Sequence, residues 1–196
     1  MKTYRIDDSG NLISTEENDE EDKIIIIKDN KEVAIHRMGG VYIEENYRNS
    51  YDYTDSSDNT RRRGFFDYYR IRGDENAKEL FFFLATYTNA EWSLALTGEA
   101  SNGLCFLSTS FQINAEPGMS MLLSKQLIYG YFIRELYHNH TYPNGSEKPS
   151  VGDYRFATSV NKAYNGPDHI QYYNDILYFL SVPKLGYRYL LQFFGD

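Results

Sequence analysis

Two histidines one residue apart, His138 and His140, follow the apolar residues 131–137, and a polar stretch then leads to Pro149, Ser150 and Asp153. No other segment constrains the fold as much. Residues 131–137 read Tyr-Phe-Ile-Arg-Glu-Leu-Tyr and predict a strand. Side chains alternate between the faces of a strand, so His138 and His140 point the same way. Asn144-Gly145 marks a turn, and a helix is expected from Pro149, with Ser150 and Asp153 on one face of its first turn. A strand bearing two imidazoles must then lie beside a helix start bearing a carboxylate. Such a set can converge on one divalent ion and leave room for water.

The rest of the chain supplies the scaffold. Asp74 is expected to cap a helix over residues 74–87, with Ala77, Leu80, Phe81, Leu84 and Tyr87 facing the core and Phe82 and Phe83 widening that face. Residues 91–96 predict a strand opened by Glu91, and residues 104–111 the next one. Glu116-Pro117-Gly118-Met119 is a turn, and residues 120–129 are a short helix or irregular. The helix from Pro149 runs to about residue 162 and breaks at Asn165-Gly166-Pro167-Asp168. Strands follow within 170–182 and at 187–194. Towards the N-terminus, residues 4–15 are polar with a turn at 8–11, and 16–22 form an acidic loop. Strands at 23–28 and 32–36 make a small hairpin. Residues 44–63 fit a linker or long loop, and residues 64–71 a short strand or turn. This order predicts an α+β (mixed α/β) fold, a central mixed β-sheet flanked by helices. Residues 1–60 are then a connector with a β-hairpin, and residues 61–196 the main domain.

A chain of 196 residues suffices for one core with a small extension. Its formal charge of −8 argues against a general nucleic-acid binder. Arg61-Arg62-Arg63 is too short a cluster to reverse that and is expected to be solvated. The single cysteine, Cys105, excludes an intrachain disulfide and a thiol-based zinc site, and reads as a small buried hydrophobe. The first residues lack the apolar run of a signal peptide, and no stretch reaches transmembrane length. A soluble protein without membrane association is expected, cytoplasmic or exported as part of a larger system. The 19 tyrosines fit half-buried strands and contact surfaces equally well.

A hydrolytic zinc ion needs protein ligands that leave one position open, and His138, His140 and Asp153 meet that need. A separate carboxylate must take a proton from the metal-activated water and deliver it to the leaving group. Glu91 is favoured because it opens an apolar strand beside Trp92; Glu79, Glu99, Glu116 and Glu135 are rivals. Glu79 is expected on the exposed side of its helix. Glu135 is an odd number of residues from His138 and should face away. Ser150, one turn before Asp153, is placed to hydrogen-bond the water or the oxyanion it forms.

His138-Asn139-His140 with Pro149-Ser150-Val151-Gly152-Asp153 resembles the signature of the JAB/MPN (JAMM) metalloproteases. That signature is His-x-His, a short spacer and Ser-x-x-Asp, with a glutamate on an earlier strand. Glu91 matches the glutamate by position, following the first long helix and opening the next strand. The resemblance spans roughly residues 65–196. It implies a JAB/MPN-like, cytidine-deaminase-like architecture, with zinc on His138, His140 and Asp153. It also implies Glu91 as general base and acid, Ser150 stabilising the tetrahedral intermediate, and cleavage of peptide or isopeptide bonds in a peptide or protein substrate. Two departures border the site: Thr141 replaces the usual proline, and the spacer from His140 to Ser150 is longer than usual. Residues 135–143 and 4–13 resemble, more narrowly, the JAB-like toxin domains of bacterial polymorphic toxins of the Rhs type. That resemblance implies a toxin or effector domain with an immunity protein as partner.

Taken singly, each residue has a simpler explanation. The histidines could be polar residues on a half-exposed strand, Ser150 a helix cap, Asp153 a charge set against the helix dipole, and Glu91 a surface carboxylate. Their coincidence is what those explanations lack. Two other classes stay open: a noncatalytic MPN-like protein-binding domain, and a metal-dependent hydrolase acting on a nonpeptide substrate. His36 and His169 have no evident partners in the sequence, and His169 is expected at the surface.

Overall fold

The computed structural model describes residues 1–39, 43–55, 57–112, 116–131 and 133–141, and beyond these Val151, Arg155, Phe156, Thr158, Tyr178, Phe179, Leu191 and Gln192. Strands β1 (Lys2–Asp7), β2 (Leu12–Glu17), β3 (Lys23–Lys28) and β4 (Lys31–Arg37) form one sheet in the order β2-β1-β3-β4. The expected hairpin is thus present as β3–β4, but β1 and β2 enlarge it. The segment 4–15 was expected to be polar and turn-rich, yet it supplies Tyr4 and Ile6, both buried against Ile24 and Ile26. The acidic stretch after it is anchored as well. Asp22 is buried and accepts hydrogen bonds from the Lys2 and Ile43 amides at 2.8 and 3.1 Å. A carboxylate that caps two backbone donors can be buried where a free one could not.

The second sheet holds β5 (Ile43–Thr54), β6 (Arg61–Arg72), β7 (Trp92–Thr97), β8 (Leu104–Thr109) and β9 (Ile133–His138), in the order β5-β6-β8-β7-β9. Its pairings are antiparallel. The parallel pair of the described residues joins β1 to β3, so the mixed sheet is the N-terminal one. The linker expected over residues 44–63 is instead a long hairpin, β5–β6. Its polar composition hid the strands because the pair is held by rings and ions as well as by aliphatic burial. Tyr47 stacks on Tyr68 at 4.9 Å, and Arg48 grips Asp67 through two bonds of 2.7 and 2.9 Å. Opposite charges directly across a ladder stabilise it. Arg61, Arg62 and Arg63 are exposed, as expected, and face Asp52, Asp55 and Asp58.

Helix α1 (Asp74–Tyr87) covers one face of this sheet and α2 (Gly118–Lys125) the other. In α1, Ala77, Leu80, Phe81 and Leu84 are buried as their spacing predicts. Tyr87 departs from expectation: it is 48% exposed at the helix end, its ring resting on Phe83. Asp74 also departs. The N-cap is Gly73, and the Asp74 carboxylate instead binds Arg134 of β9 at 2.6 and 2.8 Å. A charge-assisted pair outcompetes a capping bond and ties the helix start to β9. Buried Leu, Ile and Phe side chains stabilise by about 1.5–3 kcal/mol each. The cluster they form runs without a break from Tyr4, Ile24 and Ile26 to Leu80, Trp92 and Leu107. Cys105 is buried within it, as expected.

Beyond residue 141, Val151, Arg155, Phe156 and Thr158 are helical, and Phe156 packs on the α2-side cluster. Two short strands, β10 (Tyr178–Phe179) and β11 (Leu191–Gln192), pair antiparallel. The break at 165–168 lies outside the described residues, as does His169.

Candidate metal centre

Register places the site. One row of directly opposed residues crosses all five strands of the second sheet: Tyr47, Tyr68, Ser108, Ser93 and His138. Opposed residues share a face, so this row lies on the side covered by α2, with Tyr68 in the cluster there. The neighbouring row, Tyr69, Leu107, Leu94 and Tyr137, faces α1. Glu91 and His140, each two residues beyond the Ser93–His138 pair, fall on the same side as His138 by strand alternation.

Three of the sequence-predicted residues therefore meet. The ligand atoms of Glu91, His138 and His140 all lie within 4.8 Å of one another. Glu91 Oε2 stands 3.5 Å from His138 Nε2, and the two imidazoles are 5.1 Å apart at 79°. Glu91 is 5% exposed, which withdraws its carboxylate from bulk water. His138 and His140 are partly exposed. Ser150 and Asp153 lie outside the described residues, as does most of the loop between His140 and Ser150. Thr141, standing where the family pattern has proline, is buried.

Asn139, the residue between the histidines, explains the closeness. It is 1% exposed and points away from them. Its side-chain oxygen accepts the Trp92 amide at 2.7 Å, its side-chain nitrogen donates to the Ala90 carbonyl at 3.4 Å, and its own amide donates to the Trp92 carbonyl at 3.2 Å. The end of β9 is thereby clamped to the start of β7 on either side of Glu91. From the other flank, the Glu91 amide donates to the Gln112 carbonyl at 2.8 Å, and the Thr109 hydroxyl donates to the Glu91 carbonyl at 2.9 Å. The turn between β1 and β2 completes the support: the Asn89 amide donates to the Asp8 carbonyl at 2.6 Å.

The rival carboxylates sort cleanly. Glu79 and Glu99 are exposed. Glu135 faces α1, bonded to the Tyr137 hydroxyl and paired with Lys78 at 3.1 Å. Glu116 does belong to the site's surroundings, which its place in a turn did not reveal. It accepts the Met119 amide at 3.0 Å and the Ser110 hydroxyl at 3.2 Å, so it caps α2. Burial pushes its carboxyl above the ordinary range, opposed by the Met119 amide, His138 and the Ser93 and Ser108 hydroxyls. The signal available was local: an acid three residues ahead of an apolar helix, followed by proline and glycine. Gly118 is needed there, since any β-carbon would strike the Glu116 carboxylate and lie 3.0 Å from Phe66.

A donor set of two imidazoles with a carboxylate is one that zinc and related divalent ions accept. Compared with known protein families, residues 69–163 match the model described as JAB-like toxin 1. That span holds Glu91, both histidines, Ser150 and Asp153. No curated protein and no solved structure gave a match.

Proposed function

Because residues 69–163 match the JAB-like toxin 1 model, we propose that this chain is a zinc-dependent peptidase or isopeptidase of the JAMM type, acting as the toxin or effector part of a polymorphic system of the Rhs type. The approach of Glu91, His138 and His140 to within 4.8 Å carries this reading. His138 and His140 would hold the ion, with Asp153 as the third ligand. A bound zinc ion supplies Lewis acidity and makes its water acidic enough to react near neutral pH. Glu91 takes the proton from the attacking water and delivers it to the leaving amine. Its low exposure keeps bulk water from competing for that proton. Ser150 donates a hydrogen bond to the oxygen on which negative charge develops. The same reading gives the domain a cytidine-deaminase-like architecture, a protein or peptide as substrate, and an immunity protein as partner. It includes no role for nucleic acid or membrane; among the described residues no helix is long and apolar enough to cross a membrane.

The test is a Glu91→Gln variant assayed for zinc content and for cleavage of a peptide and isopeptide library. Zinc should be retained while turnover falls by about 10²-fold or more, the scale of a lost general base. Unchanged turnover would reject Glu91 as the base, and loss of the ion would make Glu91 a ligand. Zinc held by a wild-type protein that cleaves no amide bond would favour the noncatalytic binding domain or a hydrolase of nonpeptide substrates.

A further inference from the structure

We propose that Ser93 is the positioning residue that fixes the ring of His138 for metal binding. This rests on the metal reading above but concerns a residue outside its ligand set. Ser93 lies directly opposite His138 in the β7–β9 ladder, and its hydroxyl oxygen is 3.0 Å from His138 Nδ1. The other ring nitrogen, Nε2, faces Glu91 and the cluster. A metal takes the lone pair of one ring nitrogen, and the hydrogen bond at the other decides which one is available. With Nδ1–H donating to the Ser93 oxygen, Nε2 presents its lone pair to the ion.

Ser93 is itself held by the ladder, paired with Ser108 on one side and His138 on the other. Ser93 is only 6% exposed, so water does not readily replace it. Orientation by such a hydroxyl has a known scale: losing an outer partner costs about 10–100-fold in metal affinity.

The experiment measures zinc affinity by chelator competition, and the ring protonation of His138 by ¹⁵N NMR on metal-free protein at a pH where the ring is neutral. Wild type should carry its ring proton on Nδ1. Ser93→Ala should lose that signature and bind zinc about 10–100-fold more weakly, and Ser93→Thr, which keeps the hydroxyl, should recover most of both. A wild-type ring protonated on Nε2, or a Ser93→Ala protein with zinc affinity within about twofold of wild type, would overturn this role for Ser93. A wild-type protein that binds no zinc while showing Nδ1 protonation would instead sink the metal reading and leave the Ser93–His138 orientation standing.

Discussion

Asn139→Ala is the perturbation that most directly asks how the site is assembled. The side chain touches neither a metal nor a substrate; it holds the start of β7 against the end of β9. Truncation removes the acceptor of the Trp92 amide at 2.7 Å and the donor to the Ala90 carbonyl at 3.4 Å, and both residues are fully buried. Each stranded buried group costs about 1–3 kcal/mol, and the longer bond sits at the low end, so the expected loss is about 2–4 kcal/mol. That is a substantial part of the roughly 5–15 kcal/mol that a domain has. In urea, at an m-value of about 2 kcal/mol/M, the midpoint should fall by about 1–2 M. The chain's single tryptophan is Trp92 itself, so its fluorescence reports unfolding at the site. Zinc affinity should fall alongside, because the spacing of Glu91 from the histidines is set by this clamp. A midpoint shift below about 0.3 M, with zinc affinity unchanged, would refute the clamp.

Four other outcomes are expected. The Cys105 thiol, pushed up to about 12 by burial and by Asp74, should resist alkylation at pH 8 in the native protein and react on unfolding; rapid native labelling would contradict its burial. Because the unfolded thiol ionises first, Cys105 should also make stability fall as pH rises above about 9, which urea midpoints of Cys105→Ala against wild type would reveal. Asp74→Asn should cost about 1.5–3 kcal/mol by removing one end of a charge-assisted pair with Arg134, measured by chemical denaturation; a change within error would show the pair to be incidental. Gly10 has φ +86° and leaves only 3.0 Å between an added β-carbon and Ala90, so Gly10→Ala should cost about 1–2 kcal/mol. Calorimetry should show a melting temperature lower by about 2–8 °C, and an unchanged one would show that the turn yields.

What could be read from the chain divides along physical lines. Helix α1 and strands β3, β7 and β8 were legible because aliphatic and aromatic periodicity marks them. The face shared by His138 and His140 followed from strand alternation alone. The hairpin β5–β6 was not legible as a whole: residues such as Arg48, Asp52 and Arg61 read as linker or loop, yet they pair across the ladder. The same limit applies to β1 and β2, where an acidic, polar strand shows its pattern only once Tyr4 and Ile6 have a partner sheet. Asp74 looked like a cap because nothing local announces Arg134, 60 residues later. Glu116 escaped for a similar reason. Its neighbours in sequence explain a helix start, but only the register of β7, β8 and β9 brings Ser93 and His138 beside it.

On the function proposed above, His138 and His140 hold a zinc ion. X-ray absorption at the zinc edge of the loaded protein tests it most directly. The expected result is a shell with two imidazole nitrogens at about 2.0–2.1 Å, completed by oxygen and without sulfur. In a His138→Ala, His140→Ala double variant the imidazole scattering should vanish together with tight binding. A loaded wild-type site without imidazole scattering, or a double variant that keeps the wild-type spectrum, would contradict the claim.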